Sequence, residues 1–359
     1  MTGSSKLVVV VAAGGTAGHV RPALAVAEAL RARGATVTFA GSPDRVESRL
    51  VPEAGYELDS FAISGFPRRP SLALVRALWQ AVRAPFACLR ILGRRRPDVV
   101  LGGGGYVAGP MVVAAWLRRI PAALAEADAH LGLANRLAAP FARRVFLAYD
   151  IPGREGGKYE VVGRPVPVAH RPTTQAAGRA RFGLPPDGDV VAVFGALAGA
   201  RSLNEMAIEA WRDDGPAVLH LCGERDFAGL RDRILRDDYV LLPQTDHFGD
   251  ALAAADLAVS RAGGTVWELA AAGTPALLVP YPHATADHQM LNARYFERGG
   301  GAVVVRDDEI GRIPGLVQEL LADRERLARL RESMLALARP DAAEVIAERL
   351  LALARGRRP

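Results

Sequence analysis

Short apolar runs rich in β-branched residues alternate along the chain with longer segments whose apolar positions recur every three or four residues. Runs of the first kind predict buried strands, and segments of the second kind predict amphipathic helices. Strands separated by helices form parallel sheets that are covered on both faces, so the pattern predicts an α/β protein. The predicted strands are Lys6–Ala13, Thr36–Ala40, Glu57–Ile63, Asp98–Gly102, Ala122–Glu126, Arg144–Leu147, Val190–Phe194, Ala217–Leu221, Tyr239–Leu242, Leu257–Ser260, Ala276–Pro280 and Ala302–Val305.

The helical segments carry local signals that set their predicted ends. Pro22 lies in the first turn of a predicted helix at Val20–Arg33, where its missing N–H is harmless. A long helix crosses an arginine-rich stretch and is expected to be interrupted near Pro85, because proline cannot donate the helical hydrogen bond. Two amphipathic helices, Leu316–Arg339 and Asp341–Ala354, are predicted near the end of the chain.

Two segments rich in Gly and Pro, Tyr149–Gly157 and Gly163–Pro172, interrupt the alternation of strands and helices, which then begins again. Each half opens with a strand, a glycine loop and a helix, and 359 residues are enough for two domains. We therefore predict two Rossmann-like domains whose parallel sheets face a cleft, with ligands beyond the carboxyl ends of the strands. The predicted domains are residues 1–163 and 164–340, followed by a C-terminal helix and basic tail at 341–359.

Composition narrows the class of protein. Hydrophobic residues make up 50% of the chain and charged residues 23%, which indicates a globular protein and excludes a disordered one. The apolar runs are far shorter than the ~18 residues that a membrane-spanning helix needs, and no signal-peptide pattern opens the chain. Cys88 and Cys222 lie far apart in apolar surroundings and predict no disulfide framework. We expect a reduced, cytoplasmic protein.

The net charge of +6 indicates an acidic partner, and its distribution suggests which kind. No acidic residue occurs between Asp59 and Asp98, and large apolar residues are interleaved there with arginines. This pattern is typical of a surface that binds anionic lipid headgroups. An amphipathic helix with a solvated basic face is the alternative, and no nucleic-acid-binding motif accompanies the charge. The arginines are Arg68, Arg69, Arg76, Arg83, Arg90, Arg94, Arg95 and Arg96.

Two glycine loops follow predicted strands in the first half. Gly14–His19 precedes a helix, so its backbone N–H groups can approach an anion at the positive helix end. It lacks the G-x-G-x-x-G spacing of a dinucleotide site and a Walker lysine, and a merely tight turn is equally compatible. His19 is a candidate general base near neutral pH, or else a hydrogen-bonding residue of the helix N-terminus. Gly102–Gly105 predicts either a close approach to the backbone or a structural bend.

The strongest local signal is the segment Ser260–Glu268, which opens a predicted helix. Gly263 and Gly264 form a nest whose N–H groups can hold a pyrophosphate, and Thr265 adds a hydroxyl. Glu268 lies about one turn later, where its carboxylate can accept both hydroxyls of a ribose. Alternatively, this acid only complements the helix dipole.

A second polar cluster follows in the segment His283–Gln289. Gln289 and Asn292 can satisfy several hydroxyl groups at once, as a bound sugar requires. Asp287 and His288 belong to residue types that bind metals. No third ligand has suitable spacing, so a metal site is not expected.

Five motifs occur in order between about residue 8 and residue 305: Gly14–His19, Gly104–Val107 with Gly109-Pro110, Gly132–Asn135, Arg261–Gly263, and Asp287–Gln289 with Asn292-Ala293. Together they resemble the MurG family of peptidoglycan glycosyltransferases. The resemblance implies the GT-B fold and inverting transfer of N-acetylglucosamine from UDP-GlcNAc to lipid I, the undecaprenyl-pyrophosphoryl-MurNAc-pentapeptide, which gives lipid II. UDP-GlcNAc would bind mainly to the C-terminal domain and the acceptor to the N-terminal domain. The resemblance also implies no metal or other cofactor, and peripheral docking on the cytoplasmic face of the cell membrane.

The resemblance further implies roles for individual residues. Glu268 would hold the uridine ribose, and the backbone at Thr245 would touch uracil. The general base is expected to be His19 first, with Asp128 or Glu126 next. The other expected substrate-binding residues are Thr16, Ala17, Gly18, Asp128, Arg261, Gly263, Gly264, Thr265 and Val266, with Gln289 and Asn292 at the sugar.

The chain departs from the family pattern in four places. Ala125–Asp128 stands where the family has His-Glu-Gln-Asn, and Arg164–Pro167 where it has Asn-Pro-Val-Arg. Gly195–Ala200 lacks the hydroxyl and amide of the family's glycine loop, and Arg261–Glu268 is one residue shorter than usual. Each change removes or moves a polar contact. Three alternatives therefore stay open: a transferase with another acceptor, a UDP-sugar-binding relative without transfer, and a UDP-sugar 2-epimerase.

Overall fold

The computed structural model describes residues 6–65, 72–195 and 199–356, and the chain folds into two compact units. Unit 1 comprises Met1–Pro167 together with Pro340–Pro359, and unit 2 comprises Val168–Arg339. The change of unit lies four residues after the predicted boundary at 163/164. The C-terminal segment, predicted as a separate piece, belongs to unit 1.

Each unit contains one sheet, and all neighbouring strands in both sheets are parallel. The strands are β1 Val8–Ala12, β2 Thr36–Gly41, β3 Leu58–Ser60, β4 Val99–Gly102, β5 Ala122–Glu126, β6 Arg144–Leu147, β7 Tyr159–Val161, β8 Val190–Phe194, β9 Ala217–Leu221, β10 Tyr239–Leu242, β11 Leu257–Ser260, β12 Ala276–Leu278 and β13 Ala302–Val304. Unit 1 has the order β3-β2-β1-β4-β5-β6-β7, and unit 2 has the order β10-β9-β8-β11-β12-β13.

The helices follow the strands along the chain, and short 3-10 turns occur at Ala139–Phe141, Val168–His170, Thr285–Asp287 and Asp307–Arg312. The α-helices are α1 Ala17–Ala32, α2 Glu47–Glu53, α3 Leu72–Arg95, α4 Ala108–Leu117, α5 Leu133–Ala138, α6 Gln175–Phe182, α7 Arg201–Trp211, α8 Glu224–Arg231, α9 Phe248–Ala254, α10 Thr265–Ala272, α11 His288–Arg298, α12 Ile313–Ala322, α13 Arg324–Leu337 and α14 Ala342–Arg355.

The central strand β1 shows why the predicted strands are continuous apolar runs. Val9 and Val11 pack in a cluster with residues of α1 and α14, whereas Val10 and Ala12 pack in a cluster with residues of α3 and α4. Alternate residues of a strand face opposite sides, so a parallel sheet covered on both faces needs apolar residues at every position. The predicted fold class, two α/β domains with parallel sheets, is confirmed.

Helix α3 differs from the expectation of an interruption near Pro85, because it continues through the proline. Ala77 and Ala84 precede Pro85 on the buried face of the helix, and Cys88 follows it on the same face. Tertiary packing of a continuous apolar face outweighs the one hydrogen bond that proline removes. The prediction of a break at Pro85 was therefore wrong.

Three other element predictions need correction. The first helix begins earlier than predicted, so that Pro22 lies inside α1 and not in its first turn. The predicted helix Leu316–Arg339 is two helices, α12 and α13, because Asp323 caps the second one by accepting a 2.9 Å hydrogen bond from the Arg326 amide. Strand β7 was not predicted, since it has only three residues and lies at the sheet edge.

Candidate active site

Two glycine loops meet at the carboxyl edge of the unit 1 sheet, one after β1 and one after β4. Gly104 and Gly105 have φ angles of 105° and 72°, in the left-handed region that favours glycine. A Cβ on Gly105 would lie 2.1 Å from the carbonyl oxygen of Gly14, and one on Gly104 would lie 2.6 Å from Cδ2 of His19. The predicted close approach to this backbone is confirmed, and the approaching groups belong to the first loop itself.

His19 lies in the first turn of α1, and its half-buried ring contacts the residue that precedes the helix. His19 Nδ1 and Thr16 Oγ1 share a hydrogen bond of 3.1 Å. With the ring packed on Gly104 and held by Thr16, the imidazole has a fixed orientation beside Ala17 and Gly18. A general base must present its nitrogen in a defined place, and this ring meets that requirement.

Glu126 ends β5, and its buried carboxylate organises the loop that follows. Oε1 accepts hydrogen bonds from the amides of Ala127 and Asp128 at 3.0 and 3.3 Å. Oε2 accepts from the Gly132 amide and from Asn135 Nδ2, both at 2.9 Å. Burial raises the pKa of the Glu126 carboxyl, and these hydrogen bonds partly offset that effect. The geometry favours a positioning role for Glu126, with the half-buried Asp128 on the loop that it holds.

Arg164, which lies just before the end of the first piece of unit 1, forms hydrogen bonds with two of these loops. It is buried, and it donates to the carbonyl of Ala127 at 3.0 Å and to the carbonyl of Gly18 at 2.5 Å. The Gly18 carbonyl lacks its usual helical donor, because the residue four positions later is Pro22, which has no N–H. The sequence marked Arg164 only as part of a segment that departs from the family pattern, and it did not predict this role. The spacing of Gly18 and Pro22 was the available signal.

In unit 2 the candidate donor loop lies between β11 and α10. The first hydrogen bonds of the helix run from the Val266 amide to the Gly263 carbonyl at 3.4 Å and from the Trp267 amide to the Gly264 carbonyl at 3.2 Å. The amides of Gly264 and Thr265 come before these bonds, at the positive end of the helix dipole, where an anion is stabilised. The Val266 side chain is fully buried, so only its backbone can contribute.

Glu268 lies in the first turn of α10 and contacts a residue that sequence reasoning missed. Its Oε1 is 2.5 Å from Nδ1 of His170, and each residue is only 8% exposed. The His170 ring packs against Phe248 at a centroid distance of 5.7 Å. The contact with His170 therefore fixes the orientation of the Glu268 carboxylate through its Oε1 atom. No sequence signal pointed to His170, because it lies in the segment interpreted as a connection between domains.

Gln289 and Asn292, predicted to bind the same sugar, have different surroundings. Gln289 is half-buried, and its Oε1 accepts a 2.9 Å hydrogen bond from the Tyr281 amide. Its Nε2 lies 4.0 Å from where a Cβ on Gly263 would be, which places Gln289 beside the glycine turn. Asn292 is fully buried and donates to the Ala262 carbonyl at 3.2 Å. The geometry favours Gln289 as a ligand-contacting residue and Asn292 as a support for the turn.

Arg261 also supports the donor loop. Its buried guanidinium forms an ion pair with Asp307 at 2.7 Å and donates to Ser202 Oγ at 2.6 Å and to the Val279 carbonyl at 3.2 Å. These contacts tie the end of β11 to the neighbouring elements. The last predicted residue, Thr245, lies on the loop after β10, where its Oγ1 accepts a 3.0 Å hydrogen bond from the His247 amide.

A buried polar network links β9, β10 and α7 in unit 2. His220 shares hydrogen bonds with Tyr239 at 2.8 Å and with Oδ1 of Asn204 at 3.0 Å. Asn204 donates in turn to the Cys222 carbonyl at 2.9 Å. Burial lowers the pKa of His220 to about 3, so the ring is neutral at physiological pH. The network lies next to the Gly195–Ala200 loop, of which residues 196–198 lie outside the described part of the chain.

The comparisons with known proteins agree with the two halves seen in the fold. Residues 9–147 match the glycosyltransferase family 28 N-terminal domain, and residues 190–346 match the glycosyltransferase family 28 C-terminal domain. The UDP-N-acetylglucosamine–N-acetylmuramyl-(pentapeptide) pyrophosphoryl-undecaprenol N-acetylglucosamine transferase of Acidithiobacillus ferrooxidans is 41% identical, covering 97% of this chain and 98% of its own. The protein of the same name from Halothermothrix orenii is 36% identical, covering 91% and 94%.

The chain belongs to the MurG family. It is a glycosyltransferase, as the sequence motifs predicted. The crystal structure of Acinetobacter baumannii MurG superimposes with a TM-score of 0.77 at 27% identity, covering 97% of this chain and 99% of that one.

The fold is shared with the epimerase alternative as well. UDP-GlcNAc 2-epimerase from Neisseria meningitidis matches with a TM-score of 0.66 at 15% identity, covering 97% of this chain and 100% of that one. This likeness shows the fold alone. The relatives that match at 36–41% identity are transferases, and they favour the MurG assignment over an epimerase.

Proposed function

We propose that this MurG-family protein transfers N-acetylglucosamine from UDP-GlcNAc to lipid I and so forms lipid II. Relatives that match nearly the whole chain carry this activity in their names. The structural observation that supports it best is the start of α10, where a glycine turn is followed within one helical turn by the buried carboxylate of Glu268. This arrangement is suited to a pyrophosphate next to a ribose, the two parts that every UDP-sugar presents.

The donor would bind to unit 2 through groups with distinct tasks. The amides of Gly264 and Thr265 hold the pyrophosphate, with the Val266 backbone next to them in the same turn, and Glu268 accepts hydrogen bonds from the ribose hydroxyls. Gln289, which lies beside the turn, holds hydroxyls of the sugar. As the bond to the sugar breaks, negative charge grows on the departing UDP, and the positive end of α10 stabilises it. We therefore propose that no metal ion or other cofactor is required.

The chemical step needs a base for the acceptor hydroxyl. That hydroxyl attacks the anomeric carbon, its proton passes to the base, and the bond from this carbon to the UDP oxygen breaks with inversion. We propose His19 as the base, because the Thr16 contact and the packing on Gly104 fix its ring. Asp128 is the second candidate. Glu126, whose two oxygens hold the loop, is the third.

We also propose that unit 1 docks peripherally on the cytoplasmic face of the membrane through α3. Exposed apolar residues recur along this helix at intervals of three and four, which places them on one stripe. Arg76, Arg83 and Arg90 are exposed as well, and their seven-residue spacing places them along one side of the stripe. A stripe of this kind buries apolar side chains among headgroups while the arginines attract anionic lipid. The stripe consists of Leu72, Val75, Trp79, Val82 and Phe86.

Not all of the predicted basic residues are available for lipid. Arg95 pairs with Asp59 at 2.7 Å and with Glu57 at 2.6 Å, and Arg94 also pairs with Asp59. These pairs tie the end of α3 to β3. Arg68 and Arg69 lie outside the described residues. Among the helices of the described ranges, none is long and apolar enough to cross a membrane.

The proposed activity is tested by UDP release from UDP-GlcNAc with and without lipid I. We expect release only when both substrates are present, no epimer from UDP-GlcNAc alone, and an unchanged rate in EDTA. Glu268→Gln should weaken UDP binding in calorimetry by about tenfold or more, since hydrogen bonds to a charged group contribute ~1.5–3 kcal/mol. Glu325→Gln, which removes an exposed carboxylate from α13, is the control.

Two outcomes would contradict the proposal. UDP binding without any turnover of lipid I would identify a binding relative or a transferase with another acceptor. No heat with UDP, together with no effect of Glu268→Gln, would mean that the start of α10 is not a donor site.

A further inference from the structure

A groove of about 750 Å³ lies in unit 1, at the amino ends of β5, β6 and β7 and beside the last turns of α14. The candidate active site lies at the carboxyl ends of the strands, so the groove is at the opposite edge of the sheet. Its volume falls in the range of ordinary small-molecule sites, ~300–1,000 Å³. The lining residues are Arg119, Pro121, Arg143, Arg144, Tyr159, Glu160, Arg349, Ala352, Leu353 and Gly356.

The groove is strongly basic. Four arginines line it, and Glu160 is the one acidic lining residue. Glu160 pairs with Arg349 at 3.1 Å. Within residues 6–65, 72–195 and 199–356, no ion pair is made by Arg119, Arg143 or Arg144. Three positive charges are thus concentrated in one concave surface without a compensating carboxylate, which favours an anion with several charges.

The fold places Arg144 and Arg349 on the same side of the sheet. Arg144 is the first residue of β6 and shares a face with Phe146, two positions later. Phe146 packs in the same core cluster as Leu350 of α14, so this face of β6 looks towards α14. Arg349 and Leu353 are four residues apart on that helix and therefore lie on the same side of it.

Arg119, another residue that lines the groove, has an unusual backbone conformation. Its φ is 54°, and its amide donates to the Trp116 carbonyl at 2.9 Å after the end of α4. Helices commonly end in this left-handed conformation with glycine, because an L side chain there costs roughly 1–2 kcal/mol. An arginine lines the groove at this position in spite of that cost.

We propose that this groove binds a ligand that carries two or more phosphate groups. A guanidinium group can donate two parallel hydrogen bonds to two oxygens of one phosphate. Several arginines in one groove are therefore suited to more than one phosphate. Tyr159, Leu353 and Pro121 provide an apolar surface for an organic part of the ligand. The ligand is either a soluble polyphosphate compound or a set of adjacent phospholipid headgroups, since both present the same chemistry.

Calorimetry with inorganic tripolyphosphate, in the presence of saturating UDP, tests the soluble source. UDP occupies the proposed donor site, so the remaining heat reports the groove. We expect Arg143→Gln/Arg144→Gln to weaken tripolyphosphate binding by about tenfold or more, because two charged hydrogen-bond donors are lost. Arg49→Gln/Arg329→Gln is the matched control, because it removes two exposed arginines far from the groove in sequence, and we expect less than about twofold change.

Flotation with phosphatidylglycerol vesicles tests the lipid source with the same variants. Arg349→Gln gives a second test on the exposed side of α14, in case the double variant lowers the melting temperature. Selective loss of tripolyphosphate binding supports a soluble ligand, and selective loss of vesicle binding supports headgroups. If the groove variants match the control in both assays, the proposal is wrong. If UDP gives no heat but tripolyphosphate still binds to the groove, the proposed activity fails while the proposed groove site stands.

Discussion

At the residue scale, the contact between Glu268 and His170 makes the donor loop depend on the first residues of unit 2. We propose that the Glu268 carboxylate accepts two ribose hydroxyls, and such a group binds best when its orientation is fixed before binding. The 2.5 Å contact to His170 Nδ1 provides that orientation from outside α10. We infer that His170 is a positioning residue of the donor site.

We predict that His170→Ala raises KM for UDP-GlcNAc by about tenfold and changes kcat less, because the contact orients a group that binds the ground state. His170→Gln keeps an N–H donor and should restore part of the affinity. Calorimetry with UDP and steady-state kinetics check this. Equal affinity in wild type, His170→Ala and His170→Gln would refute the positioning role.

The buried His220 makes the stability of unit 2 depend on pH. Its pKa is about 3 in the folded protein, whereas an imidazole in the unfolded chain has a pKa of ~6.5. Below pH ~6.5 the unfolded state therefore binds an additional proton. The free energy of unfolding should then fall by about 1.4 kcal/mol for each pH unit between about 6.5 and 3.

His220→Gln isolates this effect, because glutamine does not titrate. The difference in unfolding free energy between wild type and His220→Gln should shrink as the pH decreases from 7 to 4. Urea unfolding at several pH values measures it. A difference that stays constant over this range would show that His220 is not neutral in the folded protein or not buried.

At the element scale, α3 carries two apolar faces with different partners. One face, which includes Cys88 and Ile91, packs in the core of unit 1, whereas the stripe from Leu72 to Phe86 is exposed. A helix with an apolar face left exposed beside a row of arginines is suited to a membrane surface. Arg83 lies over the Trp79 ring at 5.3 Å, which brings a cation and an aromatic group together at the centre of the stripe.

We predict that Phe86→Ser weakens binding to phosphatidylglycerol vesicles by about tenfold, since inserting a phenylalanine contributes ~1.5–3 kcal/mol. Leu235→Ser is the control, because Leu235 is 68% exposed, similar to Phe86 at 65%, but lies in unit 2. Flotation at increasing salt is the measurement, and binding should weaken as salt screens Arg76, Arg83 and Arg90. Binding that depends neither on salt nor on Phe86 would contradict docking through α3.

Elements that bury apolar residues on both faces were predictable, whereas elements fixed by distant polar contacts were not. All the predicted strands exist, because continuous apolar runs are kept from water when they form a parallel sheet that is covered on both faces. Strand β7 has only three residues, with Glu160 between Tyr159 and Val161, and it lies at the sheet edge, so its pattern was too short to detect. Pro85 shows the converse, because a strong local signal for a break was overridden by packing.

The candidate site follows the same division. The glycine turn at Gly263 and the acid at Glu268 are local motifs, and both were found from the sequence. Two of the partners of Glu126, Gly132 and Asn135, lie six and nine residues further along the chain, and the partner of Glu268 lies almost a hundred residues away. Such contacts depend on the folded chain, and a single sequence does not display them.

At the scale of the whole molecule, unit 1 is built from two separate pieces of chain. Residues of α14, including Ile346 and Leu350, pack with Val26 and Leu30 of α1 in one core cluster. An ion pair between Arg33 and Glu348, 3.0 Å long, lies at the exposed border of that contact. Unit 1 therefore cannot complete its core until the C-terminal helix has been made and has returned to it.

We predict that Leu350→Ala lowers the free energy of unfolding of unit 1 by ~2–5 kcal/mol, because it leaves a cavity at a fully buried position. Glu348→Ala, two residues away on the exposed side, should cost no more than ~1 kcal/mol, since exposed ion pairs contribute little. Calorimetry measures the unfolding of the whole chain. Proteolysis, followed by identification of the peptides released from unit 1 and unit 2, shows which unit has lost stability. The loss should appear in unit 1 although the substitution lies beyond unit 2 in the chain. A loss confined to unit 2, or equal effects of the two variants, would show that α14 does not complete the core of unit 1.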